Sequence, residues 1–381
     1  MTALVTVEEI RAAAHRLDGV IVRTPLVPFP ETAPRLLVKP ESLQPTGSFK
    51  LRGAFAAISA LPAARRERGV VTHSSGNHGL AVAYAAAALG VPAVVVVPDN
   101  AAEVKVAAAA RYGARIVTVE PTLAARVAGA QELIDGHGYT LIPPFDHRDV
   151  IAGQGTIGLE IAADCPDTDL VLVPISGGGL ISGIASAVRA ASPGAKVIGV
   201  EPELAADARD SMRRGERVAW PSSATGRTIA DALRVEQVGE LPLRHMLALV
   251  ADIVTVTEDE IREAIRLTAT RARLVAEPGG VVAVAAWLFR DDLPPARAPV
   301  AVLSGGNIDP ALLADCLRGP AGPVPRPGAA IQPGPRTVPG DTHGRPPAVR
   351  PWRACPKLGS LCAPRLLTPP PGSCCSSRRR A

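Results

Sequence analysis

Residues 170–191 read LVLVPISGGGLISGIASAVRAA. An uninterrupted apolar run (Leu170–Ile175) leads into a glycine turn, and the turn leads into a small-residue helix (Leu180–Ala191). The run does not alternate apolar with polar, so it reads as a parallel strand covered on both faces. The same unit recurs along the chain. Candidate strands are Val70–His73, Ala93–Val97, Arg115–Val119, Val197–Glu201, Ile253–Val256 and Pro299–Leu303. Candidate helices are His78–Leu89, Ala101–Arg111, Leu123–Gly136, Ile151–Asp164, Glu258–Arg273 and Gly280–Phe289. This alternation predicts an α/β fold built on parallel sheets. Thr257, with Glu260 three residues on, reads as a capping box. No repeat of fixed period is present.

Composition narrows the class. The chain has 381 residues, enough for two or three domains. Apolar runs such as AVVVVP have the length of a strand and not of a bilayer, so no membrane partner is expected. The N-terminus lacks the pattern of a secretory signal, and the expected location is the cytoplasm. The net charge of +5 is misleading, because residues 319–381 carry ten Arg or Lys against the single acid Asp341. That leaves residues 1–318 at −4. The tail also holds 15 of the 38 prolines and four of the six cysteines, without metal-site spacing. It has too little apolar periodicity to offset its ordering entropy, and disorder is expected. A basic tail could touch nucleic acid, but a solvated extension is the simpler reading, and no nucleic-acid partner is expected.

In open α/β sheets ligands gather beyond the carboxyl ends of strands. There the chain carries HSSGNHG (73–79), SGGGLISG (176–183), EPELAAD (201–207) and SGGNID (304–309). Three of the four are small, donor-rich loops. The chain has five lysines: Lys39, Lys50, Lys105, Lys196 and Lys357. Lys50 alone sits among Gly, Ser and Phe at the start of a helix, in ESLQPTGSFKLRGA (41–54), with no acid near it in sequence. An amine in an acid-free, partly apolar pocket loses its charge readily and becomes a nucleophile toward a carbonyl, as in a Schiff base. A snorkelling lysine at a helix start is the competing explanation. The turn SGGGL offers converging backbone N–H groups and a helix N-terminus, which is a phosphate cradle. It matches neither a P-loop nor G-x-G-x-x-G. A Schiff-base lysine and a phosphate cradle on a different strand point to pyridoxal phosphate.

With SSGNHG (74–79), IAGQGT (151–156) and LSGGN (303–307) added in chain order, residues 5–318 resemble the fold-type II pyridoxal-phosphate enzymes, in particular the serine/threonine dehydratases. The resemblance implies two doubly wound parallel-sheet domains, like the tryptophan synthase β-subunit, with the cofactor in the cleft between them. Residues 1–69 and 146–318 would form the large domain and 70–145 the small one, with 319–381 as tail. Lys50 would hold the cofactor as a Schiff base and then shuttle the α-proton, with Phe49 beside it. Asn77 would bond the phenolic oxygen, although SGN also suits a left-handed turn. Ser176, Gly177, Gly178, Gly179 and Leu180 would bind the phosphate. Ser304 would face the pyridine nitrogen and leave it largely unprotonated.

For the substrate, the resemblance implies that the backbone from Ser74 through Ser75 and Gly76 to His78 holds the carboxylate. Ser75 matches the position of the acid/base in racemases, and His78 reads as a first-turn helix residue more than as a base. Phe145 stands where racemase-like relatives carry asparagine. Glu201, the carbonyl of Ala205 and Asp207 would hold Mg²⁺ or Ca²⁺. The implied activity is water elimination from L-threonine, with serine slower, in a homodimer. With no α/β pattern after Arg318, a regulatory domain and isoleucine feedback are not expected. Serine racemase and 3-hydroxyaspartate ammonia-lyase are rivals on the same scaffold. A silent binding protein would have lost Lys50 or the glycine turn, and neither is lost.

Overall fold

Valine- and isoleucine-rich runs become strands here because helices cover both faces of the central strands, which are buried almost throughout. The computed structural model describes residues 3–101 and 103–319, so the expected disordered tail from residue 320 onward lies outside the described residues. The first part of the chain forms α1 (Val7–Leu17), β1 (Val27–Pro28), β2 (Leu37–Pro40), α2 (Lys50–Ala60), α3 (Ala63–Arg68), β3 (Val70–Thr72), α4 (Asn77–Leu89) and β4 (Ala93–Pro98). The middle forms α5 (Glu103–Ala110), β5 (Arg115–Val119), α6 (Leu123–His137), β6 (Thr140–Leu141), α7 (Arg148–Asp164), β7 (Leu170–Pro174), α8 (Gly179–Ala191) and β8 (Lys196–Pro202). The last part forms α9 (Asp207–Arg214), α10 (Ser222–Thr225), α11 (Glu240–Leu249), β9 (Asp252–Val256), α12 (Glu258–Leu267), α13 (Pro278–Phe289), β10 (Pro299–Leu303) and α14 (Pro310–Arg318).

Two sheets result. One has the order β1-β2-β10-β7-β8-β9 and is parallel except for β1; the other, β5-β4-β3-β6, is parallel throughout. The expected α/β architecture is therefore found. Strands Arg115–Val119 and Pro299–Leu303 match the sequence reading residue for residue, and the capping box at Thr257 and Glu260 forms. The expected helix to Arg273 is shorter: the α-helix stops at Leu267 and a π-turn takes over at Thr268–Ala272. The two-residue strands β1 and β6 are too short to show periodicity.

β10 lies between β2 and β7, and β8 flanks β7. The segments following β2, β10, β7 and β8 in the chain therefore emerge side by side. These are the Lys50 segment, SGGN, SGGGL and EPELAAD, brought together from residues 41 to 307.

Helix α7 packs on both α2 and α8. A Cβ on Gly153 would lie 2.4 Å from the Arg52 carbonyl oxygen, and one on Gly183 would lie 2.3 Å from that of Ile151. Glycine at these positions is what lets the three helices meet backbone to backbone. A buried ionic network sits in the same contact. Arg52 donates to Glu41 (Nε–Oε2 2.8 Å, Nη2–Oε1 2.8 Å) and to Glu160 (Nη1–Oε1 2.6 Å), and Lys39 pairs with Glu160. Thr24 and Gln44 donate to Glu41 as well. Burial alone would raise the Glu41 pKa, but Arg52, Lys39 and these hydrogen bonds hold it below its ordinary value.

A depressed folded-state pKa means that Glu41 adds stability above its unfolded pKa and loses it as pH falls through the folded one. Arg52→Met strands the Glu41 carboxylate in the interior, and we predict a loss of about 3–5 kcal/mol in urea unfolding. A loss below about 1 kcal/mol would show that the network is dispensable.

Candidate active site

After β2 the chain turns through Gly47, which has φ +71° and no room for a side chain, since a Cβ would lie 2.3 Å from Asn307 Oδ1. From there it is stitched to the loop after β10. Ser48 bridges Gly305, Phe49 N–H donates to the Ser304 carbonyl (3.1 Å), and Gly306 N–H donates to that of Gly47 (2.9 Å). Lys50 follows as the first residue of α2 and is half-buried. Its Nζ donates to the Pro144 carbonyl at 2.8 Å and lies 5.1 Å from the Phe49 ring centroid. Burial pulls its pKa down to about 8, with the nearby Glu277 carboxylate acting in the opposite direction. The acid-free pocket read from the sequence is thus corrected: an acid distant in sequence reaches the amine through space.

Glu277 is buried at the start of α13, and its carboxylate accepts from Asn77 Nδ2 at 2.6 Å. Asn77 Oδ1 accepts from Asn307 Nδ2 (2.7 Å), which also donates to the Thr46 carbonyl (2.9 Å). Asn77 is the first residue of α4, so the left-handed-turn reading falls away. Ser74, Ser75 and Gly76 lie half-buried in the loop ahead of it, with Gly76 N–H donating to Ser74 Oγ (3.4 Å). His78 is in the first turn of α4, buried, with its ring Nε2 donating to the Ile142 carbonyl (2.9 Å). Burial and the neighbouring Lys50 pull its pKa to about 3, so the ring is neutral at physiological pH.

The turn after β7 runs through Ser176, Gly177 and Gly178 (φ +87°) into α8, which begins at Gly179 with no side chain capping it. Its first-turn N–H groups are therefore free of a side-chain partner, and a helix N-terminus of this kind favours an anion. Leu180 is buried in the same turn. A Cβ on Gly177 would lie 2.2 Å from the Phe145 ring, and one on Gly179 would lie 2.9 Å from Gln154 Oε1. Phe145 is half-buried, so residues 144 and 145 link the lysine to the glycine turn. Both amide atoms of Gln154 are buried without partners. Ser304 is buried at the end of β10, its N–H donating to the Gly280 carbonyl (3.1 Å).

Glu201 in β8 and Asp207 at the start of α9, the acids of the expected cation site, are both buried. Glu201 accepts from the N–H groups of Ala208 (3.1 Å) and Arg209 (2.8 Å). Both Asp207 carboxylate oxygens are buried without a hydrogen-bond partner. Burial raises the Asp207 pKa to about 7, while burial and the Asp207 charge raise that of Glu201. Among the described residues no cluster of three or more His, Cys, Asp or Glu forms a metal cage. Two carboxylates and the buried Ala205 backbone have the oxygen chemistry a hard cation takes. A shallow concavity of about 840 Å³ lies at the opposite, amino-terminal edge of β7 and β8, lined by Asp169, Ser192 and Arg297, away from all these loops.

A paired lysine and anion cradle beyond the carboxyl ends of parallel strands in one sheet define a cofactor enzyme of the α/β class. The chain belongs to the pyridoxal-phosphate dependent enzymes, whose family model matches residues 17–305. It is 38% identical over 308 residues to the L-threo-3-hydroxyaspartate ammonia-lyase of Saccharomyces cerevisiae, covering 80% of this chain and 94% of that one. It is 40% identical over 311 residues to the catabolic L-threonine dehydratase of Escherichia coli K12, covering 80% and 94%. The crystal structure of Dictyostelium discoideum serine racemase superposes with a TM-score of 0.75 at 37% identity, covering 81% of this chain and 100% of that one. The fold is that of fold-type II, and the cofactor is pyridoxal phosphate. The residues present fit it: a half-buried lysine of lowered pKa, a glycine turn without room for side chains, and an orphaned amide beside that turn.

Glu277, Asn307, Gln154 and the Pro144 carbonyl were not singled out from the sequence. Asn307 and Gln154 lay inside motifs already quoted, LSGGN and IAGQGT. Glu277 offered only an acid ahead of Pro-Gly-Gly.

With a pKa near 8, the Lys50 amine is mostly neutral above that pH and mostly cationic below it. In cofactor-free protein, labelling of Lys50 by an amine-selective reagent, followed by peptide mass, is predicted to rise with a midpoint near pH 8. A midpoint near the ordinary lysine value of 10.5 would refute the burial argument.

Proposed function

We propose that the protein is an L-threonine ammonia-lyase that also accepts L-serine: water is eliminated from threonine, and hydrolysis of the released enamine takes one water back up to give 2-oxobutyrate and ammonia. The observation that carries this reading is Phe145, an apolar ring packed against the glycine turn, in the residue next to the carbonyl that holds Lys50. Such a ring suits the methyl group of threonine better than a second carboxylate or a polar contact.

When bound, pyridoxal phosphate supplies the electron sink that makes the α-hydrogen of an amino acid acidic. Lys50 would hold the cofactor, and its Nζ would take the α-proton; its lowered pKa suits a base near neutral pH. Backbone N–H groups of Gly177, Gly178, Gly179 and Leu180 receive the phosphate, with Ser176 at the edge of the turn and Phe49 beside the lysine. Asn77 holds the phenolic oxygen. Ser304, a buried neutral hydroxyl, would meet the ring nitrogen without protonating it, which suits expulsion of a β-hydroxyl. The start of α4, from Ser74 through Ser75 and Gly76 to His78, binds the substrate carboxylate through its N–H groups. Ser75 also keeps the serine racemase reading open, since its hydroxyl lies in that loop.

Glu201, the Ala205 carbonyl and Asp207 would hold Mg²⁺ or Ca²⁺, and a divalent cation would stabilise carboxylates that burial now penalises. In this reading the site lies between a large domain (1–69 and 146–318) and a small one (70–145), in a cytoplasmic homodimer. Among the described residues no helix is long and apolar enough to cross a membrane.

Incubation of holoenzyme with L-threonine is predicted to release equimolar 2-oxobutyrate and ammonia, and Lys50→Ala to reduce the rate at least ~10³-fold. Chiral analysis of serine after incubation decides against this reading if D-serine outpaces pyruvate. Millimolar Mg²⁺ or Ca²⁺ is predicted to raise the melting temperature by about 2 °C, the shift that about 1 kcal/mol of linkage gives a chain of this size. Asp207→Asn is predicted to abolish that response, and an equal response in the variant would place the cation elsewhere.

A further inference from the structure

We infer that Glu277 is a positioning residue of the active site: its carboxylate fixes which way the Asn77 amide points and supplies the negative charge facing the Lys50 amine. The inference rests on Lys50 and Asn77 being the cofactor-holding residues proposed above.

Glu277 is the residue preceding α13, where a side chain ordinarily turns back to cap the first N–H groups. Here no side-chain cap forms. The carboxylate instead reaches Asn77, 200 positions away in sequence, at 2.6 Å. Its place is prepared from two sides. Glu277 N–H donates to the Gly305 carbonyl (3.0 Å), and a Cβ on Gly305 would lie 2.2 Å from Glu277 Oε1. Glycine at 305 is what admits the carboxylate.

The chemistry of the contact determines the amide. A carboxylate only accepts, so the Asn77 atom facing it is Nδ2. Asn307 Nδ2 only donates, so it faces Asn77 Oδ1 (2.7 Å). Asn77 is therefore held at both ends. One Nδ2 hydrogen is committed to Glu277, and the second remains to donate to an anionic oxygen of the cofactor. Without the carboxylate the amide keeps only the Asn307 contact at Oδ1 and loses the partner that fixes Nδ2 toward the cofactor.

The same carboxylate acts on Lys50. The titratable groups in electrostatic contact with the amine are Glu277, from the segment ahead of α13, and His78, from α4. His78 is neutral above about pH 3, and His73 beside it is held below its ordinary value by burial. Glu277 is thus the group that opposes the desolvation of the lysine.

The test uses Glu277→Gln, Glu277→Asp and Gly305→Ala. In cofactor-free protein the pH midpoint of Lys50 labelling is predicted to fall by about one unit in Glu277→Gln. The dissociation constant for pyridoxal phosphate is predicted to rise about tenfold, the scale of one charge-assisted hydrogen bond. Glu277→Asp, which keeps the charge, is predicted to restore most of the midpoint. Gly305→Ala, which keeps the charge but drives the carboxylate from its place, is predicted to shift both quantities in the same direction by less, and it decides alone if Glu277→Gln does not fold. A purely packing role would leave the midpoint unmoved. An unchanged midpoint in Glu277→Gln, or in Gly305→Ala where that variant decides alone, overturns the inference. Borohydride reduction with peptide mapping keeps the two readings apart: cofactor found on a lysine other than Lys50 would refute the earlier proposal instead.

Discussion

The backbone contact of α7 with α2 and α8 is the constraint on which the site depends. Lys50 begins α2, the glycine turn begins α8, and α7 lies against both. Gly153 admits the Arg52 carbonyl and Gly183 admits that of Ile151, each at a distance no side chain would allow. Close packing of this kind leaves little freedom to slide, because interiors at crystal-like density transmit displacement instead of absorbing it. The buried pairs of Arg52 and Lys39 with Glu160 tie α7 to α2 and β2 as well. Helix packing thereby fixes the elements that carry the amine and the anion cradle.

The buried charges fall into two kinds. Around Arg52, two cations and two carboxylates neutralise one another, with Thr24 and Gln44 satisfying further lone pairs. Such a group holds structure and has no charge left to offer. At the candidate site the balance is deliberately incomplete. Lys50 is desolvated more than Glu277 compensates, and its pKa drops to about 8. At Glu201 and Asp207 two carboxylates share the interior without a buried cation among their hydrogen-bond partners, and both pKa values rise. Strongly perturbed groups of this sort mark sites where a ligand completes the electrostatics.

The loops around Lys50 show how a parallel sheet assembles a site from distant parts. β10 is inserted between β2 and β7, so the lysine segment and the glycine turn meet across the loop Ser304–Asn307. Asn77 comes from the other sheet and is joined to this assembly through Glu277 and Asn307. In the proposed reading the phosphate end and the ring end of the cofactor would be served by different strands.

What the sequence by itself determined was whatever depends on neighbours a few residues away. Continuous Val and Ile runs specified parallel strands, Thr257 and Glu260 specified a helix start, and the order of the glycine motifs, with one lysine in a Gly/Ser/Phe setting, pointed to the cofactor. The short strands β1 and β6, the π-turn at Thr268–Ala272 and the burial of Glu201 and Asp207 were not legible, because no local period encodes them. Only the tertiary structure decided the company that Lys50 keeps. A carboxylate 227 positions away raises the proton affinity of the amine by an amount set by distance through space, and that distance exists only after the sheet has placed β10 beside β2.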